Sequence, residues 1–176
     1  MHYSGPRTPL MSPEFRPEAI LEVLERHRVR YVLIGGFAAT IHGSPYVTTD
    51  VDITPAESPE NLAHLSAALK DLEARIRVAG EAEGFAFSHD AESLAKGRIW
   101  NLTTRFGDLD ISFVPSGTDG YDDLRRDATD LEILGVHVPL ASLADIVRSK
   151  QAADRPKDRL TLPVLRRILD EGPRPA

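Results

Sequence analysis

The chain has no cysteine. Disulfide staples, thiolate nucleophiles and Cys-ligated zinc are therefore excluded, the fold has to rest on packing, and a reducing, cytoplasmic setting is expected. No apolar run approaches the roughly 20 residues of a membrane helix. Residues Met1 to Glu14 lack the hydrophobic segment of a signal peptide, so the sequence reads as soluble, not secreted and without a membrane partner. An excess of basic charge is also missing. Lys and Arg number 21 against 27 Asp and Glu, net −6, which provides no global field for nucleic acid. The six histidines form no H-E-x-x-H, and G-x-S-x-G is absent, so zinc hydrolysis and Ser-His-Asp chemistry have no support. What remains is ordinary globular usage: 176 residues, 41% hydrophobic and 27% charged, enough for one domain with its own core.

Three prolines and little periodicity mark 1–16 as a flexible tail, and 172–176 has the same character, which leaves 17–171 as a single domain. Glu18 to His27 carries Ile20, Leu21 and Leu24 at helical spacing behind Pro17. Tyr31 to Ile34 is a short β-prone run that stops at Gly35-Gly36, and Phe37 to His42 then reads as a short helix. Val51 to Thr54 is a second strand. Ser58-Pro59 opens a long helix with Leu62, Leu65, Leu69, Leu72 and Ile76 on one stripe, and 79–90 reads as loop with one short strand. Ile99 to Phe106 and Leu109 to Val114 form a hairpin about Gly107-Asp108. Another short strand or hairpin surrounds Gly135, Ser142 caps a helix, and Leu160 to Asp170 is the last helix. Asp122, Asp123 and Asp127, mixed with Arg125 and Arg126, read as a solvated helix face. The economical architecture is α+β, with helices flanking a small mixed sheet.

Asp50 and Asp52 occupy positions i and i+2 of a strand, so both project to one face while Val51 and Ile53 enter the core. Carboxylates forced together repel unless a cation lies between them, and hard oxygen ligands suit Mg²⁺. Asp110, among Leu109, Ile111 and Phe113, is a third acid in a core strand. Gly35-Gly36, between strand and helix, lets a phosphate approach backbone N–H groups. Each feature alone has a plainer reading: a tight turn, a solvated edge strand, or an Asp paired with Arg or Lys.

Taken together, Gly35, Gly36, Asp50, Asp52 and Asp110 resemble the signature of the nucleotidyltransferase superfamily of the DNA polymerase beta type. Thirteen residues separate Gly36 from Asp50, the long end of the family range. Thr48 to Asp52 resembles the T-x-D-h-D form of small bacterial members. Ser149 to Asp158 is similar to the tail of toxin-type and abortive-infection nucleotidyltransferases, whose helix lysine faces the nucleotide. The resemblance implies a minimal nucleotidyltransferase fold and transfer of NMP from an NTP to an acceptor hydroxyl. It implies two Mg²⁺ held by Asp50, Asp52 and Asp110, which are also the catalytic acids. It implies nucleotide contacts from Gly35, Gly36, Thr49 and Lys150, and leaves Arg155, Lys157 and Asp158 between substrate contact and ion pairing.

The acceptor is not read from the motif. From Ala141 onward the balance is +3, against −9 before it, which favours a macromolecule, an RNA end ahead of a protein, at the C-terminal helices. On that reading the protein is a toxin with a cognate antitoxin. The alternatives are an antibiotic-modifying nucleotidyltransferase and a catalytically silent binding or antitoxin-type member of the fold.

Overall fold

The structure is a computed structural model and describes residues 13–172. The order is α1 (Pro17–Arg26), β1 (Tyr31–Ile34), α2 (Gly35–Ile41), β2 (Asp50–Pro55), α3 (Pro59–Asp71), β3 (Arg75–Val78), β4 (Glu81–Phe85), α4 (Ala91–Lys96), β5 (Ile99–Thr104), β6 (Gly107–Ser112), α5 (Tyr121–Arg126), β7 (Thr129–Ile133), β8 (Val136–Leu140), α6 (Leu143–Ala153) and α7 (Pro156–Glu171). The strands form one mixed sheet, β4-β3-β5-β6-β2-β1-β8-β7. With eight strands the sheet is larger than expected, and the α+β class holds.

The parallel pairs, β2 with β6 and β1 with β8, lie toward the middle, where strands are covered and read as apolar runs. Val32, Leu33, Val51, Ile53, Leu109 and Ile111 are wholly buried there. The outer strands β3, β4 and β7 carry charge at alternate positions, which suits strands with an open edge or face. Helix α1 lies against β8, β2, β6 and α3, while α2 rests on β1, β2 and α6, and α6 pairs with α7. The helix starts follow capping chemistry: Ser58 accepts from the Asn61 N–H and Ser142 from the Asp145 N–H. Asn61 is buried, and its amide bonds the Arg30 N–H and C=O and the Ala56 C=O at 2.7–2.9 Å, tying α3 to the segments before β1 and after β2.

Several local expectations are corrected. The apolar stripe through Ile76 is not one helix, because α3 stops at Asp71, Glu73 takes a left-handed φ of 53°, and Ile76 belongs to β3. Residues 79–90 are loop with one short strand, as expected, and that strand pairs with β3. They hold the turn and second strand of a β3–β4 hairpin, followed by the Asp90 and Ser93 capping box that starts α4. The β5–β6 turn is Arg105-Phe106, and Gly107 already pairs with Thr104. Trp100 opposite Ile111 and Leu102 opposite Leu109 set that register by matching apolar residues across the strands. Helix α2 begins at Gly35, two residues before the expected start. Phe15 and Arg16, placed in the tail by composition, touch the domain: the Arg16 N–H donates to the Phe106 carbonyl at 2.9 Å and Phe15 packs edge-on against Phe37. The rest of the expected tails, 1–12 and 173–176, lies outside the described residues.

Candidate active site

The acids meet because of strand register. β2 and β6 run parallel with Asp50 beside Asp108 and Asp52 beside Asp110, and β1 places Ile34 on the other side of Asp52. The alternation that buries Val51, Ile53, Leu109 and Ile111 turns Asp50, Asp52 and Asp110 to the opposite face. One carboxylate oxygen of each lies within 4.8 Å of the others.

Their surroundings differ. The Thr48 hydroxyl donates to Asp50 Oδ1 at 2.7 Å, and Arg77 donates to Asp110 Oδ1 at 2.8 Å. The Asp52 carboxylate receives no hydrogen bond among the described residues. Burial, then the charges of Asp50 and Asp110, push Asp52 up to about 7, while Lys157 and Lys150 pull it down. Burial likewise raises Asp110 to about 6, with Arg77 opposing and Asp50 adding to the rise. A half-buried carboxylate with two like charges and no donor lacks only positive charge. Three hard oxygen donors of this kind fit a divalent cation such as Mg²⁺.

Gly35 belongs to the same geometry. Its φ is +74°, and a β-carbon there would collide with the Asp52 carboxylate, so the turn needs glycine for both conformation and space. At Gly36 an added β-carbon would meet the Thr48 hydroxyl at 3.3 Å. Gly35, Gly36, Thr49, Asp50, Asp52, Asp110 and Lys150 all line one cavity of about 730 Å³, together with Arg155 and Lys157. That cavity thus has an acidic wall from the sheet and a basic one from α6 and the start of α7.

The basic wall is partly committed to itself. Asp158 is fully buried and receives Arg155 Nε at 2.8 Å and Lys150 Nζ at 3.4 Å. Burial raises its pKa, and Arg155 with Lys150 more than offset this, holding Asp158 below the usual carboxylate range. Arg155 and Asp158 are thereby an ion-paired helix start, whereas Lys157 has no ion pair among the described residues. Asp123 is corrected from solvated to buried: it accepts from the Asp119 N–H, Arg126 and Arg148, and locks α5 to α6.

No protein-family model matches the sequence, and no curated protein matches it. Solved structures do. The lincosamide antibiotic adenylyltransferase LnuA, lincomycin-bound, superposes with a TM-score of 0.56 at 17% identity, over 86% of this chain and 95% of that one. The antibiotic-resistance factor ANT(2'')-Ia gives 0.56 at 16% identity, over 87% and 82%, and 0.55 in its complex with adenylyl-2''-tobramycin. TM1012 from Thermotoga maritima gives 0.50 at 18% identity, over 91% and 98%. The chain has the nucleotidyltransferase fold.

Within that nucleotidyltransferase fold, two residues near the acids are not evident from sequence. Arg77 reaches Asp110 and, at 3.2 Å, Asp108. Its signal is the alternating Arg75-Ile76-Arg77-Val78, hidden by the helical spacing of Leu72 and Ile76. Asp108 is expected in a turn, yet it sits in β6 two residues before Asp110 and so on the same face. The plainer expectation of a strand Asp paired with Arg holds for Asp110, and it coexists with the convergence on Asp50 and Asp52.

Proposed function

We propose that the protein transfers a nucleoside monophosphate from an NTP to a hydroxyl of a small-molecule acceptor, with pyrophosphate leaving. The observation that carries this reading is the convergence of Asp50, Asp52 and Asp110 beside the Gly35-Gly36 turn, in a cavity whose facing wall is basic. Asp50 and Asp52 would hold two Mg²⁺, with Asp110 completing one site, and Thr48 orients Asp50. When bound, Mg²⁺ supplies neutralisation of the triphosphate and of the charge that builds on the attacking and leaving oxygens. Lys150 and Lys157 meet the phosphates as point charges, and Thr49 and the glycines leave room for them at the turn. The acceptor oxygen bonds to the α-phosphorus, the bond from that phosphorus to the bridging oxygen breaks, and the hydroxyl proton passes to Asp110.

A small molecule is favoured over an RNA end because part of the C-terminal basic charge is held in ion pairs. Arg155 is held by Asp158 and Arg159 by Asp154, which weakens the basis for a polyanion site. The similar proteins LnuA and ANT(2'')-Ia are an antibiotic adenylyltransferase and an antibiotic-resistance factor, which supports the same choice. The test is incubation with each labelled NTP and Mg²⁺ beside small-molecule, RNA and protein fractions of a cell. Label in the small-molecule fraction is expected. Label in RNA or protein would replace the acceptor class, and nucleotide binding without transfer to any fraction would leave a silent binding module.

A further inference from the structure

Arg77 crosses a strand to reach the acids. Its own strand, β3, pairs with β5, where Ile76 stands opposite Leu102, and β5 in turn pairs with β6, where Asn101 stands opposite Asp110. One residue beyond the Ile76–Leu102 pair, Arg77 therefore extends over β5 and ends on β6. There one guanidinium nitrogen donates to Asp110 Oδ1 at 2.8 Å and the other lies 3.2 Å from Asp108 Oδ2 and 3.4 Å from the Leu102 carbonyl. The guanidinium is thus fixed at three points, and its side chain is only 32% exposed. A planar fork held in this way presents its N–H to the carboxylate oxygen it touches in a fixed direction, which a flexible ammonium does not do.

We propose that Arg77 is a positioning residue for the acidic centre: anchored by Asp108 and the Leu102 carbonyl, it clamps one oxygen of Asp110 and so orients the carboxylate toward Asp50 and Asp52 for cation binding. Asp108 is the counterweight, since it takes part of the guanidinium charge and leaves the three-acid centre its net attraction for a divalent ion. The inference rests on the metal-dependent reading above. Residues that orient a ligating carboxylate without touching the metal commonly change affinity or activity by about 10- to 100-fold when removed.

The experiment measures Mn²⁺ affinity by electron paramagnetic resonance for wild type, Arg77→Gln, Arg77→Lys, Asp110→Asn and the Arg77→Gln/Asp110→Asn pair, without nucleotide, with circular dichroism confirming the fold. Expected are a loss of about tenfold for Arg77→Gln, partial retention for Arg77→Lys, and no further loss from Arg77→Gln in the Asp110→Asn background. In turnover assays kcat should fall with little change in the KM for NTP. If Arg77→Gln does not fold, Arg77→Lys and its pair with Asp110→Asn give the same comparison. Wild-type affinity in folded Arg77 variants, additive losses in the pair, or an effect on the KM alone would overturn the proposal while leaving the nucleotidyl-transfer reading intact. Wild type that binds no Mn²⁺ in this assay would overturn the proposal, and wild type that binds none even beside a non-hydrolysable NTP would overturn both.

Discussion

Asp52 carries the least compensated charge of the acidic trio, and its energetics have a definite sign. Burial and the neighbouring acids push its carboxyl up to about 7 from 3.8 for a free Asp side chain, so between those limits the native protein holds a proton that the unfolded chain has released. Stability of the metal-free protein must then fall as pH rises through that window. Asp110, at about 6, adds in the same direction. Asp52→Asn is expected to raise the melting temperature in EDTA at pH 8, by a few degrees for each ~1 kcal/mol recovered, with little gain at pH 4. A melting series in EDTA from pH 4 to 8 checks this, and an equal gain at both ends would count against repulsion as the cause. Asp110→Asn, by contrast, is expected to abolish transfer without lowering the melting temperature, because Leu109 and Ile111 hold its strand in register. Transfer at the wild-type rate would remove Asp110 from the mechanism.

At the scale of elements, strand β1, the glycine turn and α2 act as one device. The two glycines make different demands, and they separate in a mutational comparison. Gly35→Ala meets a positive φ and the Asp52 carboxylate together; it should cost on the order of 1 kcal/mol or more and displace Asp52, eliminating transfer. Gly36→Ala meets only the Thr48 hydroxyl at 3.3 Å and should retain the fold with reduced activity. Thermal melts and single-turnover assays on the two proteins decide it, and equal damage from both would deny the link between Gly35 and Asp52. This device is legible from sequence because Gly-Gly after an apolar run is a local pattern. The β3–β4 hairpin is not, because Leu72 and Ile76 keep helical spacing across the left-handed turn at Glu73. The same spacing conceals Arg77.

For the whole molecule, the acids are carried by the sheet and Lys157, which has no ion pair among the described residues, by α7, so a metal-bound triphosphate would bridge the two walls. Mg²⁺ and a non-hydrolysable NTP together should therefore stabilise the fold well beyond either alone, reaching about 2.7 kcal/mol over the free protein at a hundredfold excess over Kd. Lys157→Ala, which breaks no ion pair among the described residues, should leave the free protein's melting temperature unchanged and shrink that ligand-induced rise. A full rise in the variant would exclude Lys157 from triphosphate binding. Lys150 is less suited to this test, because its removal would leave the buried Asp158 to Arg155 alone.

The sequence by itself determined which carboxylates share a strand face, since alternation has a period of two residues and needs no partner to be read. It also determined the glycine turn, the Ser58 and Ser142 caps and the apolar identity of the central strands. Only the tertiary structure decided that β2 lies parallel to β6, which brings Asp110 to Asp52, that Arg77 reaches across β5, and that Asp123 and Asp158 are buried ion-pair hubs. Strand order and charge pairing are set by contacts between segments far apart in the chain. Local periodicity carries no information about them.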